Sequence, residues 1–364
     1  MKKEKLLAIL RLQATRNIGD VMAKKLISAC GSPEQVFNES FSTLLKIPGI
    51  GSYALQHIFD EKTAKRAEEE LLFLEQSKYT YHYFLDDDYP YYLKQCIDAP
   101  ILLFKDGNIK LTTNRIISIV GTRSITNYGR GFCNQLIKDL ATYQPIIISG
   151  FAYGVDICAH KAAIDNNLQN IAVLAHGLDE VYPKVHKRYI KDINTNGGFI
   201  TDFWHKERPI RENFLKRNRI IAGISKATIV IESAAKGGSL VTTDIANSYH
   251  RDVFALPGRA TDEYSKGCNH LIKNNAAHIL TSAEDIVTML NWDISEKKVQ
   301  QTSLFINLNE QEQKIFDYLS DRGKQLLDVI ARDCDIPVYQ LSSILLEMEL
   351  NGIIKPLPGK LFEV

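Results

Sequence analysis

Two apolar runs, each followed by small residues and a helical pattern, constrain the fold of this chain most. Residues 116–120 (IISIV) are too few for a helix and rich in β-branched side chains, as is typical of a buried strand. A second run, 145–148, stops at Ser149 and Gly150, and a further helical pattern begins near Gly154. This repeated order of strand, loop and helix predicts a parallel sheet with right-handed crossovers.

The loops after these two strands are candidates for an anion site. In parallel sheets, ligands bind beyond the carboxyl ends of the strands, where the loops that begin at Gly121 and Ser149 would lie. Backbone N–H groups at a helix N-terminus suit phosphate, and Arg123 adds a fixed charge with a planar set of donors. We therefore expect a phosphate-binding face at the centre of the sheet.

Later segments extend this sheet and add positive charge. Further strands are predicted at 171–174, 197–201, 227–231 and 252–256. The most basic piece, 205–219 (HKERPIRENFLKRNR), has six Lys or Arg against two Glu and connects two strands of the same sheet. We expect Arg217 and Arg219 to cross near the edge from which Arg123 and Lys236 project.

The sequence does not favour an enzyme. The first loop, Gly-Thr-Arg-Ser, lacks the further glycines of a dinucleotide fingerprint, and no acidic residue closes the second strand. Residues 236–239 (KGGS) lack the spacing of a Walker A loop. Asp156 and His160 could do acid–base chemistry, but the structural role of such a pair is preferred, and nothing supplies a nucleophile beside His176 and Asp179. We predict no catalytic residues and no cofactor.

Charge and cysteine usage narrow the setting. The net charge is only +1, so a polyanionic partner must be met by a local basic patch. Six scattered cysteines form no CxxC pair, which argues against a zinc site or a disulfide framework and favours a reducing cytosol. The apolar part of the start is interrupted by Arg11, and no run is long enough to span a bilayer. We expect a soluble cytoplasmic protein that holds no metal.

Residues 1–75 are predicted to be helical, with turns at 17–19 (NIG) and 47–51 (IPGIG). These turns resemble those of helix-hairpin-helix (SAM-like) domains, in which glycines let the backbone approach a DNA phosphate; a plain glycine-capped turn is the alternative. Residues 76–114 are rich in tyrosine and are expected to form a strand, a turn, a short helix and a strand. The tyrosines could stack bases, but packing at a domain junction is preferred.

The C-terminal part is predicted to be a separate small domain. Residues 292–308 have the composition of a linker, and helical patterns follow at 309–319, 324–334 and 337–351, with a hairpin to the end at 364. This is the outline of a winged helix. Its third helix, where such domains read DNA, has no Lys or Arg and carries Glu347 and Glu349. Sequence-specific DNA reading by it is not expected.

The central motifs together resemble the DNA-processing protein A family (DprA, also called Smf). They lie in order at 119–124 (IVGTRS), 149–160 (SGFAYGVDICAH), 177–183 (GLDEVYP), 214–223 (FLKRNRIIAG), 236–240 (KGGSL) and 253–258 (VFALPG). Tyr153, Val155 and Ala175-His176 depart from the family pattern. The resemblance implies an extended Rossmann-like domain at 76–291 and a winged helix at 309–364 like that of many members.

The resemblance also implies a function: binding of single-stranded DNA, dimerisation, and loading of the RecA recombinase during natural transformation. By motif match, Arg123, Phe214, Arg217, Asn218, Arg219 and Lys236 correspond to the DNA-contacting pocket of the family. The residues themselves add donors for phosphate at the two loops and at the Gly-Gly-Ser segment. These are Gly121, Thr122, Ser149, Gly150, Gly237, Gly238 and Ser239.

Three alternatives stay open from the sequence. Phe214 could stack a base or lie in a helix core, and the arginines could bind phosphates or pair within the chain with Glu207, Glu212 or Glu232. A nucleotide-binding or nucleotide-processing enzyme is the second functional reading, because related Rossmann-like families bind nucleotides with similar loops. The basic piece at 205–219 is excessive for a mononucleotide and favours the DNA reading.

Overall fold

The computed structural model describes residues 2–111, 113–292, 308–351, 353–357 and 359–364. The chain divides into two compact units, Met1–Asp293 and Ile294–Val364. Of the predicted linker at 292–308, residues 293–307 lie outside the described residues.

Six helices precede the sheet. They are α1 Lys3–Ala14, α2 Asp20–Cys30, α3 Pro33–Asn38, α4 Phe41–Leu44, α5 Ser52–Leu55 and α6 Glu61–Gln76. Gly19 and Gly51 directly precede α2 and α5, so each predicted glycine turn does lie between helices. The apolar faces of these helices share one core with Tyr83, Phe104 and Trp204 from beyond residue 75. The domain boundary at residue 75 therefore stays a prediction.

A nine-stranded sheet forms the centre of the first unit. Its strands are β1 Thr80–Tyr83, β2 Leu102–Gly107, β3 Ile116–Val120, β4 Ile146–Ser149, β5 Asn170–Val173, β6 Gly197–Thr201, β7 Ala227–Val230, β8 Asp252–Ala255 and β9 His278–Ile279. The order is β1-β2-β6-β5-β4-β3-β7-β8-β9. Only the pairs β1–β2 and β2–β6 are antiparallel. The predicted mixed α/β fold with a mainly parallel sheet is confirmed.

Helices cover both faces of this sheet. They are α7 Tyr91–Lys94, α8 Asn127–Leu140, α9 Val155–Asp165, α10 Ile190–Thr195, α11 Arg211–Ile224, α12 Gly238–Ser248, α13 Lys266–Lys273 and α14 Ala283–Met289. Ile117 and Ile119 pack with α8, α9 and α14, whereas Ile116 and Val120 pack with α7, α11, α12 and α13. Because both faces are covered, every residue of β3 is buried, and the strand reads as a continuous apolar run.

The strand order positions the candidate site. After β3 the chain forms β4, β5 and β6 on one side, then returns to place β7 on the other side of β3. The loops that leave β3 and β7 therefore diverge from neighbouring strands. Such a topological switch point opens a crevice at the carboxyl ends of the strands.

The second unit has the winged-helix arrangement that the sequence predicts. It contains α15 Glu310–Arg322, β10 Gln325–Leu326, α16 Leu327–Asp333, α17 Val338–Leu350, β11 Lys355–Leu357 and β12 Leu361–Glu363. The strands form a small antiparallel sheet in the order β10-β12-β11. Ile315, Leu319, Ile330, Leu341 and Leu345 are among its buried core residues.

The described residues contain neither a membrane-spanning helix nor a metal-binding cluster. None of the helices there combines the length and the apolar character needed to cross a lipid bilayer. Within the same residues, no group of three or more His, Cys, Asp or Glu side chains is placed to hold a metal ion.

Candidate nucleic-acid interface

A groove of about 620 Å³ lies at the switch point of the sheet. Its walls are the loop after β3, the loop after β7 and the first turns of α11. Of the sequence-predicted residues, it is lined by Gly121, Thr122, Arg123, Phe214, Arg217, Asn218, Lys236, Gly237, Gly238 and Ser239. The structure thus brings together ten residues that were chosen from separate motifs.

Glu232, in the loop after β7, forms hydrogen bonds with the loop after β3. The backbone N–H of Thr122 donates to the Glu232 carbonyl oxygen at 2.7 Å, and the N–H of Thr126 donates to Glu232 Oε2 at 2.8 Å. The Thr126 hydroxyl donates to the other carboxylate oxygen. Glu232 is buried, so these bonds are shielded from water. The loop that carries Arg123 is therefore held against β7 rather than left mobile.

The loop after β4 supports the Arg123 loop from a third strand. Gly154 has φ +77°, and a Cβ atom there would run into the backbone of Thr122 and Arg123. The next residue, Val155, donates its N–H to the Thr122 carbonyl oxygen at 3.1 Å. Only glycine allows this conformation together with so close an approach.

Arg217 is a buried cation at the base of the groove. Its Nη1 donates to the carbonyl oxygens of Gly150, at 2.8 Å, and Val173. Burial lowers the pKa of Arg217 to about 10, although the nearby Asp156 carboxylate opposes this. Burial also raises the pKa of Asp156, which Arg217 partly offsets. A Cβ at Gly150 would lie 2.6 Å from Asp156 Oδ2 and would clash with the guanidinium, so glycine leaves room for this pair.

The exposed wall of the groove combines cations with an aromatic ring. The Arg123 guanidinium carbon lies 5.5 Å from the centre of the half-buried Phe214 ring, and that of Arg217 lies 5.8 Å away. Tyr182 meets Phe214 edge to face, with ring centres 5.7 Å apart. Lys236 is exposed on the loop after β7. Stacking and phosphate neutralisation are thus available side by side.

The start of α12, directly after Lys236, offers backbone donors to the groove. Gly237 and Gly238 begin α12, whose first N–H groups have no acceptor within the helix. Gly238 has open space where a side chain would be. Ser239 is buried and its hydroxyl donates to Ser233 Oγ at 2.9 Å, so the side chain supports the loop. Backbone N–H groups beside Lys236 suit an anion such as phosphate.

Three predicted residues are not part of the groove lining. Ser149 is fully buried and donates to the Ile119 carbonyl oxygen at 2.6 Å, so its hydroxyl is used inside the sheet. The carbonyl oxygen of Gly150 accepts a hydrogen bond from Arg217, so Gly150 supports that side chain at the base of the groove. Arg219 binds Asp202 and Asp20 and lines a different pocket. Of the four cations expected to converge, Arg123, Arg217 and Lys236 line the groove and Arg219 does not.

Among the groove residues that were not selected from the sequence are one cation and one aromatic side chain that could contact DNA. Arg211 is exposed in the first turn of α11, and Tyr182 projects from the loop after β5; both line the groove. Each had a signal, since Arg211 belongs to the basic piece and Tyr182 to the motif at 177–183. The basic piece was not assigned as a helix from the sequence, and the position of each cation around the axis of α11 decides which of them face the groove.

The side chains considered for acid–base chemistry have structural partners. His160 is fully buried with Nδ1 3.0 Å from Asn170 Oδ1, and burial lowers its pKa to about 4. Asp156 accepts from the Ala152 N–H at 3.2 Å. His176 contacts the Gly177 carbonyl oxygen, and Asp179 accepts from the Lys206 N–H. Each of these side chains thus has a hydrogen-bond partner within the protein, although His160 Nε2 is buried without one in the described residues.

Two family models match the chain. Residues 80–291 match the model described as DNA recombination-mediator protein A, and residues 305–360 match the DprA winged helix domain. The first match contains every residue that lines the groove.

Individual proteins agree with these models. DNA processing protein DprA of Streptococcus pneumoniae is 39% identical over 56% of this chain and 71% of that protein. Protein Smf of Escherichia coli is 34% identical over 81% of this chain and 80% of its own length.

Solved structures extend the similarity to the fold. The crystal structure of DprA from S. pneumoniae matches 79% of this chain and 98% of its own, with TM-score 0.67 and 31% identity. DprA from Helicobacter pylori, described for its single-stranded DNA binding mode, matches 59% of this chain and 97% of its own, with TM-score 0.53 and 28% identity. By sequence and by fold, the chain belongs to the DNA recombination-mediator protein A family, whose members are named DprA or Smf.

Proposed function

We propose that this chain is a non-catalytic protein that binds single-stranded DNA in the groove at the switch point. The observation that carries the proposal is the position of Phe214. The guanidinium carbons of Arg123 and Arg217 lie 5.5 Å and 5.8 Å from the centre of its half-buried ring, in a groove whose lining also includes Lys236 and the start of α12. A base can stack where an aromatic ring is presented, while cations and backbone N–H groups take the adjoining phosphates.

Binding of this kind is expected to be tolerant of sequence. Stacking uses the face of the base, which all four bases possess, and phosphates carry no base code. The H. pylori relative, whose structure is described for its single-stranded DNA binding mode, supports the choice of ligand. The DNA-contacting role of Arg123, Phe214, Arg217, Asn218 and Lys236 is part of this proposal.

Membership of the family supports three further steps. The chain protects incoming single-stranded DNA, loads the RecA recombinase onto it in natural transformation or recombination, and works as a homodimer through the domain at 76–291. The cytoplasm is the expected place of this work. Light scattering at micromolar concentration tests the dimer, and RecA filament assembly on protein-coated DNA tests the loading.

A nucleotide-binding or nucleotide-processing enzyme is the second candidate. The observation in its favour is the groove itself, because 620 Å³ lies within the range of small-molecule sites. Against it stands the exposed position of Arg123, Arg211 and Lys236, which suits a chain of phosphates that continues past the groove.

The test is a competition experiment. A labelled oligothymidylate is titrated with the full chain, and unlabelled oligothymidylate, a blunt duplex and ATP are then added as competitors. We expect the single strand to compete at least tenfold better than either alternative, with log affinity falling linearly with log salt. Efficient competition by ATP would support the enzyme reading, and equal competition by the duplex would overturn single-strand preference.

The variant Arg123→Ala should weaken binding of the labelled strand. Lys138→Ala is the matched control, because Lys138 is an exposed cation near the C-terminal end of α8, the helix that follows the Arg123 loop. If both variants bind as the parent does, the groove is not the DNA site.

A further inference from the structure

The third helix of the winged-helix unit, α17, carries an exposed apolar stripe. Tyr339, Leu346 and Leu350 are 75%, 55% and 78% exposed, with the small exposed Ser343 between them. Positions 339, 343, 346 and 350 follow one another at spacings of four, three and four, so they share one face of the helix. The opposite face, with Leu341, Leu345 and Met348, is buried in the core of the unit.

This face is poorly suited to DNA. In winged-helix readers the helix at this position enters the major groove, and phosphates on both sides demand cations. From Pro337 to Asn351 the sequence has no Lys or Arg and two glutamates, Glu347 and Glu349. The stripe is instead typical of a surface that packs against another protein surface.

We propose that the stripe on α17 packs against the same stripe of a second copy of this chain, with the two helices antiparallel. An antiparallel two-fold pair brings together residues whose numbers have a constant sum. With a sum of 689, Tyr339 faces Leu350 of the second copy and Ser343 faces Leu346 of the second copy. The small Ser343 side chain then allows Leu346 to approach closely, and both large ends of the stripe are covered.

The charges of the helix select this direction. In the same register Glu347 faces Ser342 and Glu349 faces Gln340 of the second copy, so no carboxylate meets another. A parallel pair would place each glutamate beside its own counterpart, which is repulsive. The two glutamates also lie in the last turn of α17, where the helix dipole disfavours negative charge. Antiparallel pairing moves them beside the N-terminal half of the other helix, where negative charge is favourable.

The length of α17 sets the strength of the contact. Thirteen residues span only about 20 Å, and a pair of such helices buries less than the ~1,200 Å² of a stable interface. The contact is therefore weak by itself. It strengthens wherever another part of the chain, or a shared DNA strand, holds two copies together and raises their effective concentration.

Disulfide trapping between two full-length variants tests the pairing. Tyr339→Cys and Leu350→Cys are prepared separately in a Cys30→Ser background, because Cys30 is half-buried and the other five cysteines are buried. The two are mixed with oxidised glutathione and examined without reductant. We expect the mixture to form the disulfide-linked dimer at least five times faster than either variant alone. In an antiparallel pair, identical positions lie about 16 Å apart, whereas a disulfide requires Cα atoms within about 7 Å.

A second pair of variants checks that the stripe drives the pairing. Leu346→Glu in both partners should lower the yield of the mixed disulfide at least fivefold. Gln311→Glu on α15 adds the same charge at another exposed position and should leave the yield unchanged. Apart from Cys30, the substituted side chains are exposed, and thermal unfolding followed by circular dichroism checks that each variant folds.

Several results would overturn the proposal. Equal or faster dimerisation of the single variants would indicate parallel or random contact. Absence of the mixed disulfide would mean that the stripe is covered by another segment of its own chain or by a different protein. Neither result depends on DNA, so the outcome is independent of the function proposed for the groove.

Discussion

Arg219 and Asp202 form a buried ion pair in which Arg219 Nη2 donates to Asp202 Oδ2 at 2.6 Å. The same nitrogen donates to Asp20 Oδ2 at 3.0 Å, which joins α2 to α11. Burial alone would lower the pKa of Arg219, but the carboxylates of Asp202 and Asp20 raise it above its usual value. Arg219 therefore stabilises the contact between the N-terminal helices and the sheet.

Replacing Arg219 with Met should destabilise the protein without altering how DNA binding depends on salt. The variant removes the guanidinium from the Asp202 and Asp20 carboxylates and leaves Asp202 with the more distant Lys216 Nζ at 3.9 Å, at a cost of about 3–5 kcal/mol in the free energy of unfolding. Urea unfolding measures the loss, and a salt titration of oligothymidylate binding measures the slope. Arg219→Lys keeps the charge but not the planar guanidinium, so the stability of this variant should lie between those of the parent and of Arg219→Met. A stable Arg219→Met protein with a reduced slope would make Arg219 a phosphate contact after all.

Arg123 and Lys236 should behave in the opposite way. Both are exposed at the groove, so alanine at either position should leave stability nearly unchanged. Each substitution removes one phosphate contact and should reduce the slope of log affinity against log salt by about one unit, equally for every DNA sequence. The comparison with Lys138→Ala separates this effect from a general change of net charge. Parent-like slopes in both variants would move the phosphate contacts elsewhere, first to the hairpin around Gly49 and Gly51.

Phe214 should contribute affinity without contributing to the salt slope. Phe214→Ala removes a stacking surface and should weaken single-strand binding by about 1–3 kcal/mol, while the number of neutralised phosphates stays the same. Phe214→Trp keeps an aromatic face and should bind nearly as the parent does. Fluorescence titrations at three salt concentrations measure both quantities. If Phe214→Leu binds as tightly as the parent, the ring is helix packing and not a stacking platform.

The sequence predicted the framework of the fold well because its signals there are local. Each central strand was predicted within one residue, since a strand buried on both faces reads as an uninterrupted apolar run. Arg123 and Lys236 were placed correctly at one edge because each follows a strand of the same parallel sheet. Predicting that they lie close together required only the rule that the carboxyl ends of parallel strands share one edge of the sheet.

The basic piece was predicted less well because its conformation was not assigned. It forms the start of α11, in which residue 219 lies about 200° around the axis from residue 217. Arg211, Phe214 and Asn218 therefore line the groove, whereas Arg219 meets Asp20. That partner is nearly two hundred residues away in the chain and follows no local pattern. Ser149 shows the same limit, because only the structure reveals that Ile119 takes its hydroxyl hydrogen.

His160 should make the protein less stable as the pH falls below neutrality. Its pKa is about 4 in the folded protein because burial disfavours the charged ring, against about 6.5 in the unfolded chain. Between these values the unfolded state binds a proton that the folded state does not. The free energy of unfolding therefore decreases as the pH is lowered. The loss due to this residue should be roughly 2 kcal/mol between pH 7.5 and pH 5.

The measurement is urea unfolding of the parent and of His160→Gln at both pH values. Burial also lowers the pKa of His82, His176 and His186, so the parent's pH dependence contains their contributions as well. The difference between parent and variant isolates His160. An identical pH dependence in the two proteins would show that the buried ring titrates normally.

Removing Asn309–Val364 should leave binding to a short single strand largely intact. Every residue that lines the groove belongs to the unit Met1–Asp293, and α17 has no cation with which to hold DNA. An oligothymidylate too short for two copies of the protein keeps pairing between copies out of the measurement. We expect an affinity within threefold of the full chain and an unchanged salt slope, with circular dichroism confirming that the shortened protein folds. A tenfold loss of affinity in a folded protein would mean that the winged-helix unit contacts the strand directly.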